Sequence, residues 1–167
     1  MTSSELFLAI STPMIISKRC VYGIQAAIYV AAQPATNYIQ IAQIASKLNI
    51  SFHLLTKVLQ RFTQAGLMSS YRGPHGGVLL AKKPSEITLY DLITVIDTTA
   101  IFTQCMLGLP GCGSADPCPA HESWVQVRNK FKSIATDTTL EKLAEKAESL
   151  NMRATTLEAM LAGVSHA

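Results

Sequence analysis

Three cysteines and a histidine fall in one short stretch, Cys105-x6-Cys112-x5-Cys118-x2-His121, and together they make a complete four-ligand set for a soft metal. Thiolates select zinc, copper(I) or iron–sulfur clusters, and imidazole is compatible with all three, so ligand type alone does not separate them. Spacing is more informative. Structural zinc sites use tight knuckles in which two to four residues separate paired cysteines. Gaps of six and five are wider and suit a multi-iron core whose ligands sit on different irons, with zinc as the alternative. The plainest rival is a set of buried or redox-active free thiols. Gly108, Pro110, Gly111 and Gly113 give the intervening segment the make-up of a collar. The spacing predicts Cys118 at the start of a long helix, with Pro119 at its first position, where the helix dipole favours a thiolate. His121 then lies in the first turn, which couples metal status to that helix. Cys20, distant in sequence, reads as a small buried hydrophobe.

What positions this stretch is a chain of two electrostatic halves. Residues 14–83 carry eight Lys or Arg and no Asp or Glu, whereas residues 84–167 carry six basic and ten acidic side chains; Glu5 completes the net +3. Such a division predicts a polyanion footprint on the first half. Within that half, Ile24, Ala27, Ile28 and Ala31 recur at helical spacing before Pro34. Ile41, Ile44, Ala45 and Leu48 mark a second helix, broken at Asn49, which suits a left-handed turn, and Ser51, which suits an N-cap. A third helix runs from Phe52 to Gly66 with Leu54, Leu55, Val58, Leu59 and Phe62 on one face and a basic polar face opposite. Two strands, 67–71 and 78–82, flank the glycine-rich turn 72–77, so a helix-turn-helix is followed by a wing. Ser51, His53, Thr56, Lys57 and Arg61 are the candidate major-groove residues, and Lys18, Arg72, His75, Gly76 and Gly77 the candidate backbone or minor-groove contacts.

After the wing, Thr88-x-x-Asp91 opens a short helix ending near Asp97. Beyond the cysteines, Trp124, Val127, Phe131 and Ile134 recur at 3, 4, 3 spacing, the seam of a helix that pairs with a second copy. Thr138-x-x-Glu141 is expected to cap a last short helix. With 49% apolar and only 15% charged residues, some apolar surface is expected to be covered by a partner, and homodimerisation supplies one. The expected division is an extension over 1–13, a winged helix-turn-helix over 14–97, a cluster loop over 98–120, a dimerisation and packing segment over 121–150 and a tail over 151–167. No run of apolar residues is long enough to span a membrane, and the apolar segment 5–16 lacks the flanks of a signal peptide. The chain is therefore expected in the cytoplasm. No serine–histidine–acid set or phosphate-binding glycine loop is present, so an enzyme is not expected. An electron carrier or cluster-assembly protein, its basic half docking an acidic partner, is the reading from another class.

Together, Ser17-Lys18-Arg19-Cys20-Val21-Tyr22-Gly23-Ile24, the helix-turn-helix, Arg72-Gly73-x-x-Gly76-Gly77 and the cysteine segment through Trp124 resemble the Rrf2 superfamily of bacterial winged-helix regulators, in its IscR- and NsrR-like iron–sulfur branch. The resemblance covers about residues 14–150. It implies a mainly α fold with a small β-hairpin and a long C-terminal dimerisation helix. It also implies a homodimeric regulator, often a repressor, of pseudo-palindromic DNA. Cys105, Cys112 and Cys118 match the cluster cysteines and His121 the IscR-type histidine, which favours [2Fe-2S] over [4Fe-4S]. Two departures stand out: the first cysteine gap is six rather than five, and Thr56 replaces an acidic residue of the recognition helix. Val21, near the place where NsrR-like members put an acidic ligand, argues against that arrangement.

Overall fold

A computed structural model describes residues 15–73, 76–105, 107–108 and 117–147. Helix α1 (Lys18–Ala31) starts where the Ser17 side chain accepts from the Cys20 N–H at 3.1 Å. It buries Cys20, Gly23, Ala26, Ala27 and Val30 along one stripe. A Cβ on Gly23 would lie 2.9 Å from Val58 and 3.0 Å from Phe62, so this glycine is what lets α1 cross α3 closely. Helix α2 (Ile41–Lys47) is short, and Asn49, at φ 52°, makes the tight turn into α3 (Phe52–Gln64). Leu55, Val58, Leu59 and Phe62 turn inward from α3 and are the middle of the core.

The wing is an antiparallel pair, β1 (Met68–Tyr71) with β2 (Gly77–Leu80), in the register Met68–Leu80 to Tyr71–Gly77. Its outer edge is closed by Ile39, which exchanges backbone hydrogen bonds with Val78 at 3.0 and 2.9 Å. A Cβ on Gly77 would collide with the Ile39 carbonyl, so the pairing depends on a bare backbone there.

Helix α4 (Leu89–Asp97) carries the expected capping box, with Thr88 and Asp91 bonding each other's backbone N–H. A four-residue helix the periodicity did not reveal, α5 (Ala100–Thr103), follows. The long helix α6 (His121–Asp137) begins two residues later than Pro119 at N1 would require. Ala120 is its N-cap, and Cys118 sits in a tighter turn before it, where its carbonyl accepts from the His121 N–H at 2.9 Å. The last helix among the described residues, α7 (Leu140–Ala144), is capped by Thr139 rather than Thr138. The reason is tertiary: the Thr138 carbonyl accepts from the Leu89 N–H at 2.8 Å and Leu140 N–H donates to the Ile87 carbonyl at 2.8 Å, which keeps Thr138 extended. Through these bonds α6 and α7 fold back on the reader, burying Leu140 and Ala135 in the same core as Phe62. Among the described residues the architecture is a mainly helical winged helix with one two-stranded hairpin.

Candidate DNA-reading face and metal-ligating segment

The amphipathic pattern of α3 leaves Ser51, His53, Lys57 and Gln60 on the exposed side. Ser51 occupies the N-cap position without a capping side-chain bond, so its hydroxyl is not used to start the helix. Thr56 is half-buried and its hydroxyl donates to the Phe52 carbonyl at 2.8 Å, a helix back-bond one turn earlier on α3. A cleft separates this face from the wing, lined by Ile41, Phe52, Thr56, Gln60, Tyr71 and Arg72 among others. Arg72 is exposed where β1 enters the turn of the wing. Lys18 is exposed at the start of α1, its ammonium 5.8 Å from the Tyr22 ring. Gly76 and Gly77 serve the hairpin itself: a Cβ on either would strike backbone, that of Tyr71 and Gly73 for Gly76 and that of Ile39 for Gly77. His75 lies outside the described residues.

Arg61, expected on the same face, also points elsewhere. Its Nη1 donates to the Ile96 carbonyl at 3.3 Å, on the last turn of α4. Asp97, the next residue, is bound from α1: its carboxylate accepts from the Ser17 N–H at 2.6 Å and the Ser17 hydroxyl at 2.5 Å. Cys20 is fully buried beside this carboxylate, and burial, with the adjacent negative charge and a hydrogen bond to Asp97, pushes its thiol up to about 12. The end of α4 is thus held from both α1 and α3. Thr98 follows at φ 63°, ψ −176°, a conformation in which a β-branched residue is strained.

From Thr98 the chain enters the cysteine segment. Cys105 and Cys118 are thiols rather than disulfide halves, each half-buried, and His121 is half-buried in the first turn of α6. Cys112 lies outside the described residues. Among the described residues no three His, Cys, Asp or Glu side chains gather into a metal-holding group. The donors themselves, two thiols outside any disulfide and an imidazole, with the backbone N–H of His121 bonded to the Cys118 carbonyl, suit a soft metal. The stem leading into Cys105 is fastened to α6: Trp124 Nε1 donates to the Gln104 carbonyl at 2.9 Å, and Arg128 Nη1 to the Thr103 carbonyl at 2.9 Å and that of Gln104 at 3.3 Å. Phe131 stacks on Phe102 with centroids 5.3 Å apart. Trp124 and Phe131 therefore face their own domain, whereas Val127 and Ile134 remain 57% and 48% exposed. Reading the sequence did not find the Arg61, Ser17 and Arg128 contacts, because their acceptors are backbone carbonyls or a carboxylate far away in the chain. Only the indole of Trp124, a donor that seeks a partner when partly buried, carried a signal.

Comparisons with known proteins agree with this geometry. Residues 16–146 match the Rrf2 family, described as iron-dependent transcriptional regulators. The HTH-type transcriptional regulator IscR of Photorhabdus laumondii is 31% identical over 131 residues, 78% of this chain and 79% of that protein. Among solved structures, CymR, the global cysteine regulator of B. subtilis, superposes with a TM-score of 0.66 at 28% identity, covering 80% of this chain and 98% of CymR. IscR of T. potens superposes at 0.65 with 24% identity, over 81% and 89% of the two chains, and supports the fold. Among the described residues no helix is long and apolar enough to cross a membrane. The relatives are regulators rather than enzymes, and the match spans both the reader and the cysteine segment: this chain belongs to the Rrf2 family of winged-helix transcriptional regulators.

Proposed function

We propose that this regulator is a homodimer whose operator affinity or choice is set by an iron–sulfur cluster on Cys105, Cys112, Cys118 and His121, with [2Fe-2S] favoured by the three-cysteine, one-histidine set. When bound, such a cluster supplies a core whose charge changes with oxidation state and whose loss releases the loop. The protein's own part is mechanical. The observation that carries the reading is the end of α4, held to the recognition helix by Arg61 and to α1 by Ser17, and followed directly by the cysteine segment. A pull on the Cys105 stem reaches α4 through α5, and a change at His121 reaches the same stem through Trp124 and Arg128. Both motions end at the helix that faces DNA.

Ser51, His53, Thr56 and Lys57 are the residues assigned to the major groove, with Arg72 and Lys18 on phosphate or minor groove. Eight basic and no acidic side chains in residues 14–83 predict steep salt dependence of binding. The exposed pair Val127 and Ile134, two turns apart on α6, supports a contact with a second copy. A symmetric dimer in the cytoplasm then reads pseudo-palindromic half-sites. The second reading, a zinc-bound or metal-free thiol regulator, draws on the described ligands not being gathered as a trio. Iron, zinc and acid-labile sulfide assayed on anaerobically purified protein separate the two. Equal iron and sulfide support the cluster, and zinc without sulfide supports the alternative.

A further inference from the structure

Among the described residues, the aromatic side chains more than a third exposed are Tyr38, Phe52 and Tyr71, and all three stand at the reader. Phe52 and Tyr71 line opposite walls of the cleft between recognition helix and wing. Tyr38 lies against Tyr71, ring centroids 5.7 Å apart and planes tilted by 40°. Single exposed aromatics are ordinary, but a paired one held rigidly is not. Here the backbone fixes the pair. Tyr71 is the register partner of Gly77, and Tyr38 immediately precedes Ile39, whose two hydrogen bonds to Val78 lie on the other side of β2. Gly77 presents no side chain between them, and a Cβ there is excluded by the Ile39 carbonyl.

We propose that Tyr71, buttressed by Tyr38, is a non-ionic contact for the sugar–phosphate backbone of duplex DNA at the turn end of the wing. The occupant follows from charge and position. The surrounding half of the chain has eight cations and no carboxylate to repel phosphate, and the next residue, Arg72, is an exposed cation. A phenol adds what Lys and Arg do not: a flat apolar face for the deoxyribose and one O–H donor for a phosphate oxygen, with no counterion release. Its contribution is therefore affinity that survives added salt. The inference rests on the DNA-binding reading above and adds two contact residues to it.

The test is affinity against salt for a duplex that the full-length protein selects from a random-sequence pool. Tyr71→Ala is expected to weaken binding about tenfold, and Tyr71→Phe and Tyr38→Ala about threefold each. The slope of affinity against salt should stay at the wild-type value in all three. Both side chains are partly solvated, so the melting temperature should hold and separates lost contact from lost fold. Tyr71→Ala binding within twofold of wild type, or with a shallower salt slope, overturns the proposal. So does an unchanged DNA affinity accompanied by a weaker dimer in sedimentation, which assigns the pair to a second copy. Wild-type protein that retains no duplex at all would overturn the DNA reading together with it.

Discussion

The reader and the cysteine segment are built by opposite means. The reader, from α1 to α4, closes around side chains such as Phe62, Leu55 and Ile44 that are fully buried, and a capping box and a glycine crossing help fix its geometry. The described parts of the cysteine segment bury Phe102 and leave Cys105, Cys118 and His121 half-buried, with Leu107 57% exposed. Apolar burial specifies the first region, whereas the second has donors in place of a core. A region short of burial has low intrinsic stability and can be ordered by what binds to it. That contrast is what a sensor attached to a rigid reader requires.

The sharpest way to break the comparison is to hollow the reader. Phe62→Ala should cost about 4 kcal/mol and abolish DNA retention with the fold, as thermal melts and DNA binding measured together will show. Next is the joint between the regions. Asp97→Ala removes the acceptor of two Ser17 bonds and should cost about 2 kcal/mol in denaturant unfolding. Thr98→Gly relieves the strain at φ 63° and should raise stability by about 1 kcal/mol, while loosening the link between cysteine segment and α4. A more stable protein whose DNA affinity no longer follows its metal content is the expected phenotype. Smaller still is the distinction between two basic residues of one helix. Lys57→Gln should lower the salt slope of DNA binding by about one, and Arg61→Gln, whose guanidinium is engaged with Ile96, should leave the slope near wild type. The least effect concerns Cys20. Its thiol, normally near 9.0, is pushed up to about 12 by burial, so the folded chain holds a proton that the unfolded chain loses between those values. Stability should therefore fall as pH rises above 9.0, and Cys20→Ala should flatten that fall in pH-dependent melts.

Much of the reader was legible because its determinants are local. The 3.6-residue period placed α1 to α4, and Asn49, Thr88 and Asp91 mark their turns and caps by their own chemistry. The misplaced features are those decided by distant partners. Thr138 has the right sequence for a cap, yet a hydrogen bond from Leu89 takes its carbonyl and moves the cap to Thr139. Pro119 suits a first helical turn, but a tighter bend through Cys118 delays α6 to His121. The seam from Trp124 to Ile134 is apolar enough to serve two neighbours, and periodicity cannot say which edge meets its own domain. Packing assigns Trp124 and Phe131 to α5 and leaves Val127 and Ile134 outward. In the same way, a polar helix face makes Arg61 and Lys57 look alike until the end of α4 is brought beside one of them. The ligand residues themselves were visible from type and spacing, since donor chemistry does not depend on fold.

The central claim is that the cysteine segment governs the reader. It is tested most directly by the affinity for a selected operator of anaerobically purified protein, compared with the same preparation after its metal is stripped and with Cys112→Ala. The account predicts that stripping and the substitution shift affinity or operator preference alike, by about tenfold or more, while the melting of the reader core stays in place. Identical binding by all three preparations, with iron and sulfide present only in the first, would contradict it.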